Sequence, residues 1–285
     1  MLLISGKPIA EKALARARVI IQERDLRPGL AVVMVGKDPA SEIYVGLKER
    51  AAESVGVVFE KHILSETSRT EDVQEVVRAL NERADVHGII VQLPLPSGLD
   101  TDAIIATIRP EKDADGFHPE TVARFLSGQS SVPPVFPRAI LALIESTGVP
   151  LDGKRAIVFA NSVLFASVIA VTLGRVGIET EDSVALGFDA ALGRVSESDI
   201  IVTATGKPHF LHGNMIRTGT IVIDGGITRV GELVMSDADR KSFTSTDCFL
   251  TPVPGGVGPV TVAFLVSRVV ELALGGENGE SILEA

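Results

Sequence analysis

Apolar and polar positions follow one another along the chain in blocks that predict strands and helices in turn. The run from Gly29 to Gly36 (GLAVVMVG) is continuously apolar, which predicts a strand buried on both faces. Residues 39–54 then have a helical composition, residues 57–64 suit a strand, residues 71–83 an amphipathic helix, and residues 87–96 a strand that ends in prolines. This alternation predicts a largely parallel sheet flanked by helices.

A second series of the same kind follows a helix predicted at 137–148. It comprises a strand at 154–160, a helix at 162–175 and strands within 199–206 and 220–226, whereas residues 176–198 have no clear pattern. The N-terminus suits a strand, a turn and a helix, and the last apolar helix is predicted near 259–274, followed by a disordered tail from residue 275.

These blocks predict an α/β protein of two domains with a cleft between them. An N-terminal α/β catalytic domain would span residues 1–137, and a Rossmann-like domain residues 138–258. The C-terminal segment 259–285 would pack back on the first domain through its helix.

Composition and charge restrict the function. Apolar residues make up 45% of the 285 residues and aromatic residues only 4%, so the core must consist mainly of Val, Ile, Leu and Ala. A net charge of −10 argues against nonspecific binding of nucleic acid or of an anionic membrane, and favours a small-molecule partner. Cys248 is the only cysteine, which excludes an internal disulfide and indicates the cytoplasm. The N-terminus resembles neither a signal peptide nor a membrane span.

The predicted helix 39–54 carries an aromatic ring and an amine on one face. Tyr44 and Lys48 are four residues apart, and Ser41 lies one turn earlier on the same side. Tyr44 packing at the surface and Lys48 as a solvated lysine is the simpler interpretation of this spacing. Gln92 follows an apolar strand directly, where its amide can serve a site or satisfy the backbone of the proline turn.

Two acids and a glycine loop complete the candidate chemistry. Asp113 and Asp115 lie in the predicted loop PEKDADGFHPE, where they can bind a metal, cap the next segment or hold a ring edge through paired hydrogen bonds. No other acid or histidine has an obvious metal-ligand spacing with them, so no metal is expected. The loop from Pro254 to Pro259 (PGGVGP) precedes a helix and exposes backbone amides, which suits an anion or a flat ring, although connecting glycine turns are commoner.

Taken together, these segments resemble a known family. PASEIYVGLKER, VQLPLP, PEKDADGFHP, ATGKP and TPVPGGVGPVTVAFL occur in the order and at the spacings of the methylenetetrahydrofolate dehydrogenase/methenyltetrahydrofolate cyclohydrolase (FolD) family. The resemblance covers nearly the whole chain. It implies hydrolysis of 5,10-methenyltetrahydrofolate, NAD(P)-dependent oxidation of 5,10-methylenetetrahydrofolate, and a homodimer that takes part in purine biosynthesis.

The resemblance also implies roles for individual residues. Lys48, supported by Gln92, would handle protons at the one-carbon bridge, and Asp115 would hydrogen-bond the pterin. Tyr44 would stack on the aminobenzoyl ring, near Ser41. The remaining implied substrate contacts come from the glycine loop and are Pro254, Gly255, Gly256 and Pro259. The implied cofactor contacts are Ala160, Asn161, Ser162, Gly206 and Ile227.

The predicted Rossmann domain departs from the family pattern where the dinucleotide would bind. Family members usually have a Gly-Arg-Ser-like turn where this chain has Ala160, Asn161 and Ser162, so the arginine that would face a 2′-phosphate is missing. Glu179, Glu181 and Asp182 lie near the predicted second strand, where an acid favours the free ribose of NAD.

A further departure lies ahead of the helix at 137–148, where Phe136 replaces a small polar residue of the family pattern. Its bulk can fill part of a nicotinamide pocket. The cofactor therefore remains NADP or NAD, and three hypotheses follow: a bifunctional enzyme, a cyclohydrolase without dehydrogenase activity, or a folate-binding protein without turnover. A Rossmann dehydrogenase for another substrate is the competing interpretation.

Overall fold

The computed structural model describes residues 1–230 and 233–275, which form two compact units. Of the described residues, the N-terminal unit contains 10–135 and 262–275, and the Rossmann unit contains 1–9 and 136–261. The strands are β1 (Leu2–Leu3), β2 (Gly29–Val35), β3 (Val58–Leu64), β4 (Gly88–Val91), β5 (Arg155–Ala160), β6 (Glu179–Asp182), β7 (Ile200–Ala204), β8 (Ile221–Asp224), β9 (Ile227–Val230), β10 (Leu233–Ser236) and β11 (Phe249–Leu250). The α-helices are α1 (Lys7–Glu23), α2 (Pro39–Val55), α3 (Thr70–Asn81), α4 (Thr101–Ile105), α5 (Pro119–Leu126), α6 (Val135–Glu145), α7 (Val163–Gly174), α8 (Ser183–Leu186), α9 (Phe188–Arg194) and α10 (Val257–Ala273).

The N-terminal unit is built on a three-stranded parallel sheet in the order β3-β2-β4. Every residue of β2 is buried, as its continuous apolar run predicts. Val73, Val77 and Leu80 of α3 pack against one face of the sheet. Helix α10 also belongs to this unit from Val262 on, and the Val269 side chain contacts Gly88 so closely that a Cβ added at Gly88 would lie 2.8 Å from it. The prediction that the last helix packs on the first domain is confirmed.

The Rossmann unit is built on a six-stranded sheet in the order β1-β11-β8-β7-β5-β6, and all its neighbouring strands are parallel. From β5 the chain goes outward to β6 on one side and then returns to β7 on the other. The carboxyl end of β5 is thus a topological switch point, where doubly wound sheets bind their ligands. The predicted two-domain α/β class is confirmed.

Residues 176–198, which have no clear pattern in the sequence, fold into β6, α8, α9 and a short 3-10 helix at Val195–Glu197. Strand β6 reads Glu-Thr-Glu-Asp and lies at the edge of the sheet, with its side chains alternately exposed and half-buried. An edge strand of this composition buries little apolar surface, so it leaves no hydrophobic signal.

The chain termini differ from the sequence-based expectation in one respect. Strand β1 pairs with β11 in the Rossmann sheet, so residues 1–9 belong to the Rossmann unit instead of the N-terminal one. A two-residue strand can be placed only by its partner, which comes almost at the other end of the chain. The predicted disordered tail, apart from Gly275, lies outside the described residues.

Candidate active site and dinucleotide site

Helix α2 carries the two residues of the predicted aromatic-amine face. It begins with Pro39, and the side chain of its N-cap, Asp38, accepts hydrogen bonds from the backbone N and the hydroxyl of Ser41, at 2.7 and 2.8 Å. It ends at Gly56, whose φ of 97° is the left-handed conformation that glycine adopts readily. The caps fix the helix on both sides of Tyr44 and Lys48, and both of those side chains are half-buried.

Lys48 and Gln92 are brought together by the parallel sheet. The backbone N of Gln92 donates to Val33 O at 2.8 Å, which extends the β2–β4 pairing by one residue. Lys48 Nζ donates to Gln92 Oε1 at 3.0 Å, and Gln92 Nε2 donates to the Leu93 carbonyl at 2.7 Å. Both ends of the amide are therefore engaged, and the Leu93 carbonyl, which can only accept, fixes the orientation with Nε2 toward Leu93 and Oε1 toward Lys48.

The acidic loop is anchored to the same strand end. Ala114 N donates to Ile89 O of β4 at 3.4 Å, and the carboxylate of buried Asp113 accepts from Gly116 N at 2.9 Å and His118 N at 2.7 Å. Of the uses left open for the two acids, Asp113 thus caps the following segment. Asp115 is the half-buried acid of the pair, and its carbonyl accepts from Val135 N at 3.1 Å.

Burial sets the electrostatics of this group. Desolvation lowers the pKa of Lys48, and the negative charge of Asp115 opposes that shift. Desolvation raises the pKa of Asp115, which the charge of Lys48 opposes and that of Asp113 reinforces. Burial also raises the pKa of Tyr44, so its hydroxyl stays protonated. An amine with a lowered pKa beside a neutral amide is a group that can accept and return a proton.

Other predicted substrate contacts are placed differently. Ser41 is buried and its hydroxyl donates to Asp38, so it serves the helix cap. The glycine loop lies in the Rossmann unit at the start of α10, where Gly255 has a φ of 107° and its carbonyl accepts from Gly6 N at 2.9 Å. Pro259 is in the first turn of α10. A Cβ added at Gly256 would lie 2.7 Å from Pro252 O, so that position requires glycine.

The five predicted cofactor contacts lie at the carboxyl ends of β5, β7 and β8. Ala160 ends β5, Asn161 Nδ2 donates to Thr205 O at 2.9 Å, and the Ser162 hydroxyl caps α7 by accepting from Phe165 N at 3.2 Å. Gly206 follows β7 with a φ of 66°, and its carbonyl accepts from the Thr228 hydroxyl at 2.6 Å. This contact brings the turn after β7 to Ile227, the neighbour of Thr228 in the chain.

This edge of the Rossmann sheet fits a dinucleotide. Val163 is 66% exposed, Leu164 48% and Ile227 41%, so apolar surface flanks the switch point where flat rings can cover it. The capped N-terminus of α7 lies at the same end of the sheet, directly after β5, and suits a pyrophosphate. The turn at residues 160–162 contains no glycine, so its approach to a phosphate differs from that of a glycine-rich loop.

Phe136 packs inside the Rossmann unit. Its ring centroid lies 5.1 Å from that of Phe165, and its Cζ lies 2.7 Å from the place of a Cβ at Gly225. The structure thus places the Phe136 ring at Gly225, the residue after β8, and the expectation that its bulk can fill part of a nicotinamide pocket stays a prediction.

Sequence reasoning did not single out Asp38, and it left the position of Asp182 open. Asp38 immediately precedes a proline that begins a helix, which is the recognisable signal of an N-cap. Asp182 ends β6, and no pattern marks that strand. Among the described residues, no cluster of three or more His, Cys, Asp and Glu side chains is arranged to hold a metal ion, and no helix has the length and apolarity needed to cross a membrane.

Comparison with known proteins decides the family. The model of the tetrahydrofolate dehydrogenase/cyclohydrolase catalytic domain matches residues 4–115, and the model of the NAD(P)-binding domain of the same family matches residues 134–275. The chain belongs to the tetrahydrofolate dehydrogenase/cyclohydrolase family. The resemblance stated from the sequence is confirmed, and the family's NAD(P)-binding domain is present in this chain.

Individual family members agree over the full length. The bifunctional protein FolD of Geotalea daltonii is 35% identical over 282 residues, which cover 95% of this chain and 98% of that protein. The crystal structure of the bifunctional FolD enzyme of Campylobacter jejuni has a TM-score of 0.86 at 30% identity, covering 96% of this chain and 99% of that one. FolD of Trypanosoma brucei, complexed with NADP and an inhibitor, has a TM-score of 0.88 at 29% identity, covering 98% and 99% of the two chains.

Proposed function

We propose that this protein hydrolyses 5,10-methenyltetrahydrofolate to 10-formyltetrahydrofolate and oxidises 5,10-methylenetetrahydrofolate with NAD or NADP, in one-carbon metabolism. The observation that carries the proposal is the hydrogen bond of 3.0 Å from Lys48 Nζ to Gln92 Oε1. A neutral partner holds this amine without adding the charge that a carboxylate would bring. Its pKa is lowered by burial, as a proton-transferring lysine requires.

In the hydrolysis, a water attacks the methenyl carbon and Lys48 accepts the proton that the water loses. The bond from that carbon to N5 of the folate then breaks, and Lys48 returns its proton to the leaving nitrogen. As the C–N5 bond breaks, the hydroxyl on that carbon loses its second proton to solvent and becomes the formyl C=O. The products are 10-formyltetrahydrofolate and that one proton, so the reaction balances with water alone. Gln92 keeps the amine directed toward the carbon throughout.

Substrate recognition is assigned to the neighbours of Lys48. The carboxylate of Asp115 accepts hydrogen bonds from the amidine edge of the pterin, and Tyr44 stacks on the aminobenzoyl ring. Asp113 acts on Asp115 indirectly, because its own carboxylate is occupied by Gly116 N and His118 N. The amides of Gly255 and Gly256, with Pro254 and Pro259, provide the remaining contacts to the substrate.

The oxidation requires a dinucleotide on the Rossmann unit, and NAD(P) supplies the acceptor for a hydride from the methylene carbon. Ala160, Asn161 and Ser162 would hold its phosphates beside the N-terminus of α7. Gly206 and Ile227 would line the crevice beyond β7. On this basis the N-terminal unit serves the folate, and the Rossmann unit serves the dinucleotide apart from the substrate contacts proposed for its glycine loop.

The test follows methenyltetrahydrofolate absorbance in the presence of the purified protein and of Lys48→Met. Lys12→Met is the matched control, because Lys12 is an exposed lysine of α1. We expect hydrolysis by the wild type and by the control, and its loss in Lys48→Met with unchanged circular dichroism. Substrate binding without hydrolysis in the wild type would favour the folate-binding hypothesis. Equal hydrolysis by Lys48→Met would remove the assigned role of Lys48.

The dehydrogenase half has its own assay, reduction of NAD and of NADP by methylenetetrahydrofolate. Hydrolysis without reduction of either nucleotide would leave the cyclohydrolase-only function. Phe136 is the observation that favours this second candidate, since its ring lies over Gly225 at the end of β8.

A homodimer is also proposed. Val58 and Ile63 of edge strand β3 are 61% and 56% exposed, and Ile43 and Leu47 of α2 are 55% and 41% exposed. Exposed apolar residues on an edge strand are normally covered. Analytical ultracentrifugation should give twice the chain mass for the wild type and a lower mass for Val58→Lys, whereas a monomeric wild type would contradict the proposal.

Cys248 is buried and without a second cysteine, in keeping with action in the reducing cytoplasm.

A further inference from the structure

We infer that the Rossmann unit selects the dinucleotide with a free adenosine ribose, NAD over NADP, and that Asp182 is the residue that makes the selection. The inference deepens the proposed dehydrogenase function and rests on it, because it concerns the same dinucleotide crevice. It depends on where β6 ends and on how the Asp182 carboxylate is held there.

Asp182 is the last residue of β6, the strand beside β5 on the side away from β7. In the parallel register it pairs with Val158, two residues before β5 ends at Ala160. The end of β6 thus lies beside the end of β5, just before the turn that leads into α7. In a doubly wound sheet, an acid at the carboxyl end of this strand accepts hydrogen bonds from the ribose hydroxyls of NAD.

The carboxylate is held rigidly by one of its oxygens. Asp182 Oδ1 accepts from Val184 N at 2.9 Å and from Ala185 N at 2.8 Å, which caps α8. The next residue, Ser183, is buried, and its hydroxyl accepts from Ala160 N at 3.2 Å, which ties this turn to the end of β5. Within the described part of the chain, Oδ2 accepts no hydrogen bond. Asp182 therefore offers a fixed, charged acceptor at the sheet edge.

The charges around this position are unfavourable for a 2′-phosphate. Glu181, the preceding residue of β6, is a second carboxylate of this strand, on the opposite face of the sheet. Arg194 lies 3.9 Å from Glu181 and 3.6 Å from Glu197, so its charge is shared by these two acids. Lys207 Nζ lies 3.7 Å from the centre of the Phe188 ring. Asn161 is uncharged, and its amide Nδ2 already donates to Thr205 O, so it offers a phosphate no cationic partner. Within the residues that the structure describes, a 2′-phosphate would meet the Asp182 carboxylate without a dedicated cation, whereas a ribose hydroxyl would donate to it.

The experiment measures binding of NADH and NADPH separately to the purified full-length chain. Nicotinamide emission reports it cleanly because the chain has no tryptophan. ADP-ribose and its 2′-phosphorylated form are titrated in parallel by calorimetry, since they test the adenosine half without the nicotinamide ring. Asp182→Asn removes the charge but keeps an oxygen that can cap α8. Asp189→Asn, at an exposed acid in the first turn of α9, is the control for net charge.

We expect NADH to bind at least about tenfold more tightly than NADPH, the equivalent of one lost charged hydrogen bond. Asp182→Asn should weaken NADH and bring the ratio close to one, whereas Asp189→Asn should leave the ratio unchanged. Equal or tighter binding of NADPH, or an unchanged ratio in Asp182→Asn, would overturn the inference and leave the proposed dehydrogenase intact. Binding of neither dinucleotide nor ADP-ribose would overturn both.

Discussion

Replacement of Gln92 by Glu is the sharpest perturbation of the candidate active site. The substitution keeps the shape of the side chain and the oxygen 3.0 Å from Lys48 Nζ, but places a negative charge on it. An opposite charge at this distance raises the pKa of a lysine by about 1 to 3 units. At a fixed pH below the pKa, each unit by which the pKa rises lowers the fraction of neutral amine about tenfold. At neutral pH we therefore expect cyclohydrolase kcat/KM to fall by about 10- to 1000-fold.

The pH profile distinguishes this electrostatic effect from damage to the site. Burial lowers the pKa of Lys48, so wild-type kcat/KM should rise with pH toward a plateau, and the midpoint of that rise should lie below the ordinary lysine pKa of 10.5. In Gln92→Glu the rise should move to higher pH while the plateau is partly retained. The assay is the initial rate of methenyltetrahydrofolate hydrolysis across pH, corrected for the uncatalysed reaction.

Gln92→Met provides the control, because it also loses the hydrogen bond to the Leu93 carbonyl but adds no charge. Its activity should fall without an upward shift of the profile. The reasoning would be refuted if Gln92→Glu matched the wild type at neutral pH, or if both variants lost activity with identical pH profiles.

Two further predictions concern the buried acids of the Rossmann unit. Burial raises the pKa of Asp224 from 3.8 to about 6, so the folded state holds this proton more firmly and the free energy of unfolding should fall as pH rises from about 4 to about 6. That contribution amounts to about 3 kcal/mol, and Asp224→Asn should abolish it in urea unfolding at pH 4 and 7; parallel pH dependences would contradict the assignment. A Cβ at Gly226 would lie 2.0 Å from the Asp237 carboxyl carbon, so Gly226→Ala should cost about 2 kcal/mol or more in urea unfolding. Gly174→Ala, at a helical position with open space, should cost nothing, and equal stabilities of the two variants would count against the predicted clash.

The acid pair also shows what a local pattern cannot reveal. The Asp224 backbone N donates to the Thr251 hydroxyl, which in turn donates to the Asp224 carbonyl. The Asp237 carboxylate accepts from the backbone N and the hydroxyl of Thr205, both at 2.8 Å. These partners lie up to 32 residues apart in the chain. The cluster joins the ends of β7 and β8 to the chain after β10, and each acid by itself resembles an ordinary loop residue.

The sequence by itself determined the strong elements and the family. Strands such as β2 are apolar along their whole length because both faces are buried, and α2 carries a proline start and a glycine stop. Those signals are local, so they can be read without a structure. The motif order from Tyr44 to Pro259 likewise needed only spacing, and the family models match residues 4–115 and 134–275.

Only the tertiary structure decided which polar groups from distant parts of the chain form hydrogen bonds with one another. Lys48 and Gln92 are 44 residues apart, and parallel pairing of β2 with β4 brings Gln92 to α2. Ser41 lies on the expected face of α2, but its hydroxyl donates to the Asp38 side chain at 2.8 Å and therefore serves the helix cap. The sequence does not show that β6 ends at Asp182, because this edge strand buries too little apolar surface to leave a hydrophobic pattern. Contacts between distant segments arise from packing and register, which short-range periodicity does not encode.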